Sequence, residues 1–361
     1  MTGSRMPHFV AELAQGPLDI IGDVHGEIEV LERLLSHLGY DVDGQNAEGR
    51  RLVFLGDLID RGPDSPAVLE KVMHLVTQDR AQCLMGNHEL NILLERPMHG
   101  NGWLIQPNEM ERPGEFHSRP ADPERMGAYL EFFASLPLAL ENESLRLAHA
   151  CWHTDSVARL RIAQHRGLSV TELYEHYEAE VREKLRDPEL APRLEKEMGF
   201  YSVSIFDPEW PAKLLPACAR ADVIRQMNNP IRILTTSEVT IASEPFFAMG
   251  RWHMTERTRW WDAYDEEIPV VIGHFWRRFS NAAERVSGVF GKDVFEGVPP
   301  HAWLGKRNNV YCVDYSVGQL HVERQVDPTA DTFHGKLAAR RYPEWEVQHD
   351  DGSVITLQPG R

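Results

Sequence analysis

The chain is poor in cysteine, has too few basic residues to balance its acidic ones, and lacks any long apolar run. Its four cysteines are far apart and form neither a Cys-x-x-Cys pair nor a zinc-type spacing, so we expect reduced, buried thiols. No stretch approaches the ~18 apolar residues of a membrane-spanning helix, and residues 1–16 lack the basic and apolar regions of a secretory signal. These absences predict a cytoplasmic protein with no membrane partner.

The charge balance narrows the possible partners further. The chain has 38 basic and 55 acidic residues, a formal net charge of −17. Such an acidic protein is a poor candidate for binding nucleic acid or an anionic membrane surface. Its 361 residues, 42% of them hydrophobic, suffice for a large core, and we expect one domain over residues 1–361.

The first part of the chain alternates short apolar runs with amphipathic segments. We predict strands at residues 18–21, 52–55 and 82–85, with one helix following Ile28 and another beginning near Ser65-Pro66. This β-α-β-α-β order predicts parallel strands joined by right-handed crossovers. In such sheets, functional sites form beyond the carboxyl ends of the strands.

The remainder of the chain predicts a mixed sheet system with insertions. Residues 95–140 are rich in Pro, Gly and Met, and residues 155–228 carry charged helical segments, so we expect both to form a cap over the active-site mouth. The alternative is a solvated helical layer without a substrate role. Further predicted elements are a helix at 123–135, strands at 145–148, 231–234, 245–249, 269–272, 310–315 and 319–326, and a hairpin at Asp350-Asp351-Gly352.

Each of the first three predicted strands runs into a turn that contains glycine and metal-binding or proton-transfer side chains. Asp57 follows Asp23 by 34 residues, and Asn87 follows Asp57 by 30. Two neighbouring divalent metals need a bridging carboxylate with oxygen and nitrogen ligands. The turns are Gly22-Asp23-Val24-His25-Gly26, Gly56-Asp57-Leu58-Ile59-Asp60-Arg61-Gly62 and Gly86-Asn87-His88-Glu89.

Two more histidines directly end predicted strands. His149 follows the run at 145–148, and His274 follows Gly273 and the run before it. We therefore predict them as further metal ligands, because the other candidate ligands also lie at strand ends.

Together these strings resemble the signature of the calcineurin-like metallophosphoesterases, in particular bacterial members of the phosphoprotein phosphatase branch. The resemblance covers residues 18–151 and 268–320. It implies an α/β fold, a four-layer α/β/β/α sandwich of mixed sheets with helical and loop insertions over the active site. It also implies two divalent metal ions, for which we favour Mn²⁺ and keep Fe, Zn and Mg as alternatives.

The resemblance assigns each ligand to one of the two metals. Asp23, His25 and Asp57 would hold the first. Asp57 would also bridge to the second, whose other ligands would be Asn87, His149 and His274.

The resemblance also implies the catalytic roles. A hydroxide that bridges the metals would attack phosphorus. His88 would protonate the leaving oxygen, Asp60 would orient His88, and Arg61 would grip the phosphate oxygens. Relatives usually supply a second phosphate-binding arginine before the last histidine, and the candidates here are Arg251, Arg257 and Arg259.

These features predict hydrolysis of phosphate monoesters by a serine/threonine protein phosphatase-like enzyme. One alternative is a symmetric dinucleoside tetraphosphate hydrolase, for which Trp103, Trp152, Trp210 and Trp252 offer surfaces that could stack a base. A more remote alternative is a catalytically silent scaffold. Eukaryotic members follow the ligand corresponding to His149 with two glycines. Here Trp152 and His153 follow closely, and we expect them to reshape substrate entry.

Overall fold

The computed structural model describes residues 8–96, 100–104, 118–248, 250–280, 293–330 and 333–356. Its strands are β1 (Val10–Glu12), β2 (Leu18–Ile21), β3 (Arg51–Phe54), β4 (Ala81–Cys83), β5 (Ala139–Glu141), β6 (Arg146–Ala148), β7 (Val239–Ala248), β8 (Arg251–Arg257), β9 (Val270–Ile272), β10 (Val310–Cys312), β11 (Ala338–Tyr342), β12 (Glu346–His349) and β13 (Val354–Thr356). Its helices are α1 (Ile28–His37), α2 (Ser65–Thr77), α3 (Asn87–Leu93), α4 (Met126–Ser135), α5 (Thr154–Ala163), α6 (Val170–Leu185), α7 (Ala191–Ser204), α8 (Pro216–Met227), α9 (Pro230–Thr236) and α10 (Leu320–Val326).

Two mixed sheets form the centre of the molecule. One has the order β13-β12-β11-β2-β3-β4, in which β2, β3 and β4 are parallel and the remaining pairs are antiparallel. The other has the order β1-β5-β6-β9-β10, in which only the β5–β6 pair is antiparallel. The predicted β-α-β-α-β opening and the late hairpin are both confirmed.

The strands are buried on both faces because the sheets pack against each other and against helices. Ile20 and Val53 of one sheet share a core cluster with Leu147 and Val271 of the other. The intervening residues, such as Phe54, pack instead in the cluster that contains the apolar faces of the helices. The layer order is therefore α/β/β/α, as predicted.

Two predicted strands are wrong, those at 231–234 and 319–326, because residues 231–234 lie in α9 and residues 320–326 form α10. A short apolar run does not distinguish a buried strand from a buried helix. The local helix signal precedes the first run, since Asn229 caps α9 by accepting from the Ile231 N–H and Pro230 occupies its first turn.

The second half of the chain adds helices α5 to α8 and a separate β7–β8 hairpin, against which α8 packs. This region contains the predicted insertion at 155–228, and its covering role stays a prediction. The earlier insertion contributes α4, whereas residues 97–99 and 105–117 lie outside the described residues. All four cysteines are free and buried, as expected: Cys83, Cys151, Cys218 and Cys312.

A buried pair of histidines makes the fold sensitive to acid. The Nε2 atoms of His301 and His349 are 3.0 Å apart, and both rings pack around Phe279 and Tyr315. Burial, with Arg277 nearby, lowers the pKa of His301 to about 4. Burial, with His301 nearby, lowers the pKa of His349 to about 3.

We predict that stability falls as the pH drops from about 6.5, the unfolded value, toward 4, because the unfolded chain then binds protons that the folded chain excludes. Each imidazole contributes a slope of at most ~1.4 kcal/mol per pH unit. Urea unfolding of the wild type and His349→Gln across this range measures the slopes. The variant should show the shallower dependence, and exposed His165→Gln is the control. Equal slopes in wild type and His349→Gln would contradict this account.

Candidate functional site

The structure brings the six predicted metal ligands together at the carboxyl ends of strands from both sheets. Each is buried, with at most 9% of its surface exposed. The main-chain N–H of His274 donates to Asp23 Oδ1 over 3.0 Å, and this hydrogen bond links the two sheets at the site. The predicted ligands are Asp23 and His25 after β2, Asp57 after β3, Asn87 at the start of α3, His149 after β6 and His274 after β9.

Asp57 lies at the centre of this set. Its Oδ2 is 3.4 Å from His149 Nε2 and 3.9 Å from His25 Nε2. Two groups of potential ligand atoms, each within 4.8 Å of one another, share this residue: His25, Asp57 and His88, and Asp57, His149 and His274. A shared central carboxylate is what a bridging ligand between two metals requires.

Backbone carbonyls fix the orientation of two imidazoles. Nδ1 of His25 donates to the Ile59 carbonyl over 3.0 Å, and Nδ1 of His149 donates to the Leu55 carbonyl over 2.8 Å. Nε2 is therefore the nitrogen of each ring that faces the other predicted ligands, an arrangement typical of histidine ligands. Nε2 of His274 is buried and has no hydrogen-bond partner among the described residues. This orphaned nitrogen, in a set of carboxylate, amide and imidazole donors, fits a divalent cation.

The buried carboxylates and imidazoles of the site shift one another's pKa values. Burial raises the pKa of Asp57, but His149 and the other imidazoles outweigh burial and hold it well below its usual range. Burial lowers the pKa of His149, but the charge of Asp57 outweighs it and raises it to about 10. Burial, together with Asp314, raises the pKa of Asp23 well above its usual value. Two cations would relieve this repulsion between carboxylates and displace the proton on His149.

The predicted proton donor lies beside the ligands. Nδ1 of His88 donates to Asp60 Oδ2 over 2.6 Å, and its Nε2 lies 3.8 Å from Asp57 Oδ2. Arg61 donates to His25 Nε2 over 3.0 Å, and its guanidinium lies 4.6 Å from the centre of the Trp276 ring. The pair His88–Asp60 and the arginine are thus adjacent to the ligand set, in the arrangement that a phosphate-transfer site needs.

Two acidic residues of the site were not assigned a role from the sequence. Glu89 accepts hydrogen bonds from the main-chain N–H groups of Asp57, Leu58 and Gly86, at 2.8 to 3.0 Å. Asp314 lies two residues beyond β10, and burial raises its pKa to about 6. The sequence prediction placed Asp314 inside a strand over 310–315, whereas β10 ends at Cys312, and this shorter strand puts Asp314 just beyond a strand end.

The three candidate phosphate arginines lie in different surroundings. Arg257 sits 5.5 Å from the ring of Phe275, and its charge adds to burial in lowering the pKa of His274. Arg259 pairs with Asp262 over 3.3 Å. Arg251 begins β8 at the far end from Arg257. Arg257 is therefore the candidate whose charge acts on a predicted metal ligand, His274.

Comparison with known proteins finds a family to which part of the chain is similar. Residues 16–190, slightly less than half of the chain, match the model of the calcineurin-like phosphoesterases. The matched residues contain every predicted site residue except His274 and the second-arginine candidates.

The chain is similar to two enzymes named bis(5'-nucleosyl)-tetraphosphatase PrpE and described as asymmetrical. Identity is 36% over 140 residues with that of Oceanobacillus iheyensis, covering 37% of this chain and 55% of the relative. With that of Geobacillus sp. (strain WCH70) it is 33% over 149 residues, covering 39% and 60%. The chain thus spans less than two thirds of the length of these relatives.

The solved structure of a cold-active protein-tyrosine phosphatase from a Shewanella species aligns with 98% of this chain and 83% of its own, at 18% identity. Its TM-score is 0.47. None of the helices in the described part of this chain combines the length and the apolar character that a membrane crossing requires.

We predict that Asp57→Asn loses both metals and lowers turnover by more than about 100-fold, because a neutral amide replaces the shared carboxylate. Metal content measured by mass spectrometry, together with turnover of p-nitrophenyl phosphate, checks this expectation. Exposed Asp122→Asn is the matched control. Full activity and unchanged metal content in Asp57→Asn would remove the case for a bridging ligand.

A second variant separates the proton donor from the ligands, because His88 could geometrically join His25 and Asp57 around a metal. If His88 is the general acid, His88→Ala keeps two metals per chain and loses activity mainly on substrates with poor leaving groups. Loss of one metal from His88→Ala would instead make it a ligand.

Proposed function

We propose that this chain hydrolyses dinucleoside polyphosphates at a phosphoanhydride bond. The observation that carries the proposal is the buried two-group ligand set around Asp57, combined with similarity to enzymes named as bis(5'-nucleosyl)-tetraphosphatases. These relatives favour the nucleotide alternative over the protein phosphatase-like function predicted first. They are described as asymmetrical, whereas the sequence prediction named symmetric cleavage, so the bond that is cut is part of the experiment.

The residues of the chain would divide the work of such a reaction. Two cations held by the six ligands would supply an acidified water molecule and neutralise phosphate charge. Arg61 and Arg257 would bind phosphate oxygens, for which a planar guanidinium is well suited. His88, held by Asp60, would donate its Nε2 proton to the leaving oxygen.

A cavity near the site offers a place for one nucleoside. It has a volume of about 270 Å³ and is lined by aromatic residues, including Trp152 and Trp260, and by carboxylates, including Glu238. The indole of Trp260 donates to the carbonyl of Ala150, the residue after His149, so the cavity begins close to the centre. The carboxylates of the cavity can accept from the amino groups of a base.

Trp152 and His153 both line this cavity, and Trp152 is itself buried beneath Arg146. They follow Ala150 and Cys151, which stand where eukaryotic relatives have two glycines, and they are the residues that the sequence predicted to reshape substrate entry.

Phosphomonoester hydrolysis is the second candidate. The observation in its favour is the short bond between His88 and Asp60, since an ester with a poor leaving group depends most on a proton donor.

A turnover panel on Mn²⁺-loaded protein tests the choice. It compares diadenosine tetraphosphate, ATP, a phosphothreonine peptide and p-nitrophenyl phosphate by kcat/KM. We expect the dinucleotide to be preferred, and chromatography of its products distinguishes two ADP from ATP plus AMP. Preference for the phosphopeptide would overturn the proposal in favour of the second candidate.

We also predict that Arg257→Ala lowers kcat/KM by about 10- to 100-fold, the effect of losing a charge-assisted hydrogen bond to phosphate. Arg257→Lys should recover part of this loss because the charge returns without the planar fork. Arg259→Ala is the matched control, since Arg259 already pairs with Asp262. Equal losses in Arg257→Ala and Arg259→Ala would exclude a specific role for Arg257.

A further inference from the structure

The carboxylate of Asp60 receives more hydrogen bonds than its role toward His88 requires. Besides His88 at 2.6 Å, Asp60 Oδ2 accepts from Asn101 Nδ2 at 2.7 Å. Asp60 Oδ1 accepts from Trp103 Nε1 at 2.6 Å. All four side chains are buried, with 3% or less of their surface exposed. Neither additional donor belongs to the three sequence motifs.

The two donors come from a single turn of 3₁₀-helix at Asn101–Trp103. The chain enters this turn at Gly100 with φ of 97°, in the left-handed region that favours glycine. A Cβ at Gly100 would lie 3.1 Å from both the Arg61 nitrogen and the Asp60 Cβ, so the absence of a side chain lets the turn lie directly against Asp60.

The turn is itself anchored on the side away from Asp60. The ring of Trp103 lies 6.3 Å from that of Tyr129 on α4, and the Trp103 carbonyl accepts from the Ala121 N–H at 2.7 Å. The hydroxyl of Tyr129 in turn donates to Glu70 on α2. The two donors therefore approach Asp60 from a supported element.

We propose that Asn101 and Trp103 are positioning residues for the proton donor His88, acting through Asp60. A carboxylate held only at one oxygen by His88 could rotate about its Cβ–Cγ bond. Donors on both oxygens fix its plane, and the plane fixes the direction in which His88 presents Nε2. This inference rests on the proposed hydrolytic function, in which His88 protonates the leaving oxygen.

Leaving-group dependence separates positioning from mere support of the fold. Phenyl phosphate has a poor leaving group and needs the proton, whereas p-nitrophenyl phosphate needs it far less. Trp103→Phe keeps the packing of the ring and removes only the donor. We expect it to lower kcat/KM for phenyl phosphate about tenfold and for p-nitrophenyl phosphate less than about twofold, a smaller selective loss than the 10²- to 10⁴-fold of removing an acid outright.

The matched control is Trp252→Phe, which removes an indole hydrogen bond of 2.8 Å to the Asp207 carbonyl on the β7–β8 side of the molecule. It should leave both aryl phosphates unaffected, because neither substrate carries a base that Trp252 could stack. Asn101→Ala is the second variant, with the same selective loss expected. Metal content and thermal midpoint are measured for each variant, so that activity is compared between folded, metal-loaded proteins.

A spectroscopic readout tests the same inference without turnover. In Mg²⁺-loaded protein, the Nδ1 proton of His88 in its short bond to Asp60 should give a far-downfield ¹H resonance, assigned by its loss in His88→Ala. We expect Trp103→Phe to shift or broaden this resonance and Trp252→Phe to leave it unchanged.

Equal losses on the two aryl phosphates, or an unmoved resonance in Trp103→Phe, would overturn the positioning role alone. If His88→Ala itself shows no leaving-group selectivity, the proton-donor role within the proposed function fails, and the inference fails with it.

Discussion

A buried carboxylate that accepts three main-chain N–H groups holds the centre of this molecule in place. Glu89 bonds the amides of Asp57, Leu58 and Gly86, and so fastens the loop after β3 to the start of α3. Burial and the neighbouring charge of Asp57 raise the pKa of Glu89 to about 7, against the opposing effects of His88, the Leu58 amide and His149. Because Asp57 is shared by both groups of candidate ligands, the geometry of the whole centre depends on this clamp.

The clamp is needed because the backbone around it is strained. Five of the predicted site residues have φ between 47° and 70°, and each such non-glycine residue costs about 1–2 kcal/mol. Glycines complete the packing: a Cβ at Gly86 would lie 2.2 Å from Asp57 Oδ1, and one at Gly273 would lie 2.3 Å from Asp23 Oδ1. The motif glycines thus allow carboxylates to approach the backbone closely. The five strained residues are His25, Asp57, Asp60, Arg61 and His274.

The parts that the sequence predicted follow from a local rule, that parallel strands end at one edge and carry their functional side chains there. This rule located all six candidate ligands, whereas the roles of His88 and Asp60 came from the family resemblance. It missed Asp314 because the strand predicted over 310–315 extended past Cys312, where β10 ends. Asn101 and Trp103 obey no such rule. They meet Asp60 only through tertiary packing of a turn about 40 residues away along the chain, and spacing alone carries no information about that encounter.

The proton-donor network bears on which substrate the centre serves. Cleavage of a phosphoanhydride releases a phosphate, a good leaving group that needs little protonation, whereas an alkyl phosphate ester releases an alkoxide that needs it strongly. A His88 held through Asp60 by Asn101 and Trp103 is therefore of most use to an ester. The names of the relatives favour anhydride cleavage, whereas the hydrogen bonds that hold His88 favour ester cleavage. In a centre with both features, we expect dinucleotide hydrolysis to depend little on His88 and monoester hydrolysis to depend on it strongly. The fold-loss of His88→Ala on each substrate is thus more informative about the chain's chemistry than its activity on either one.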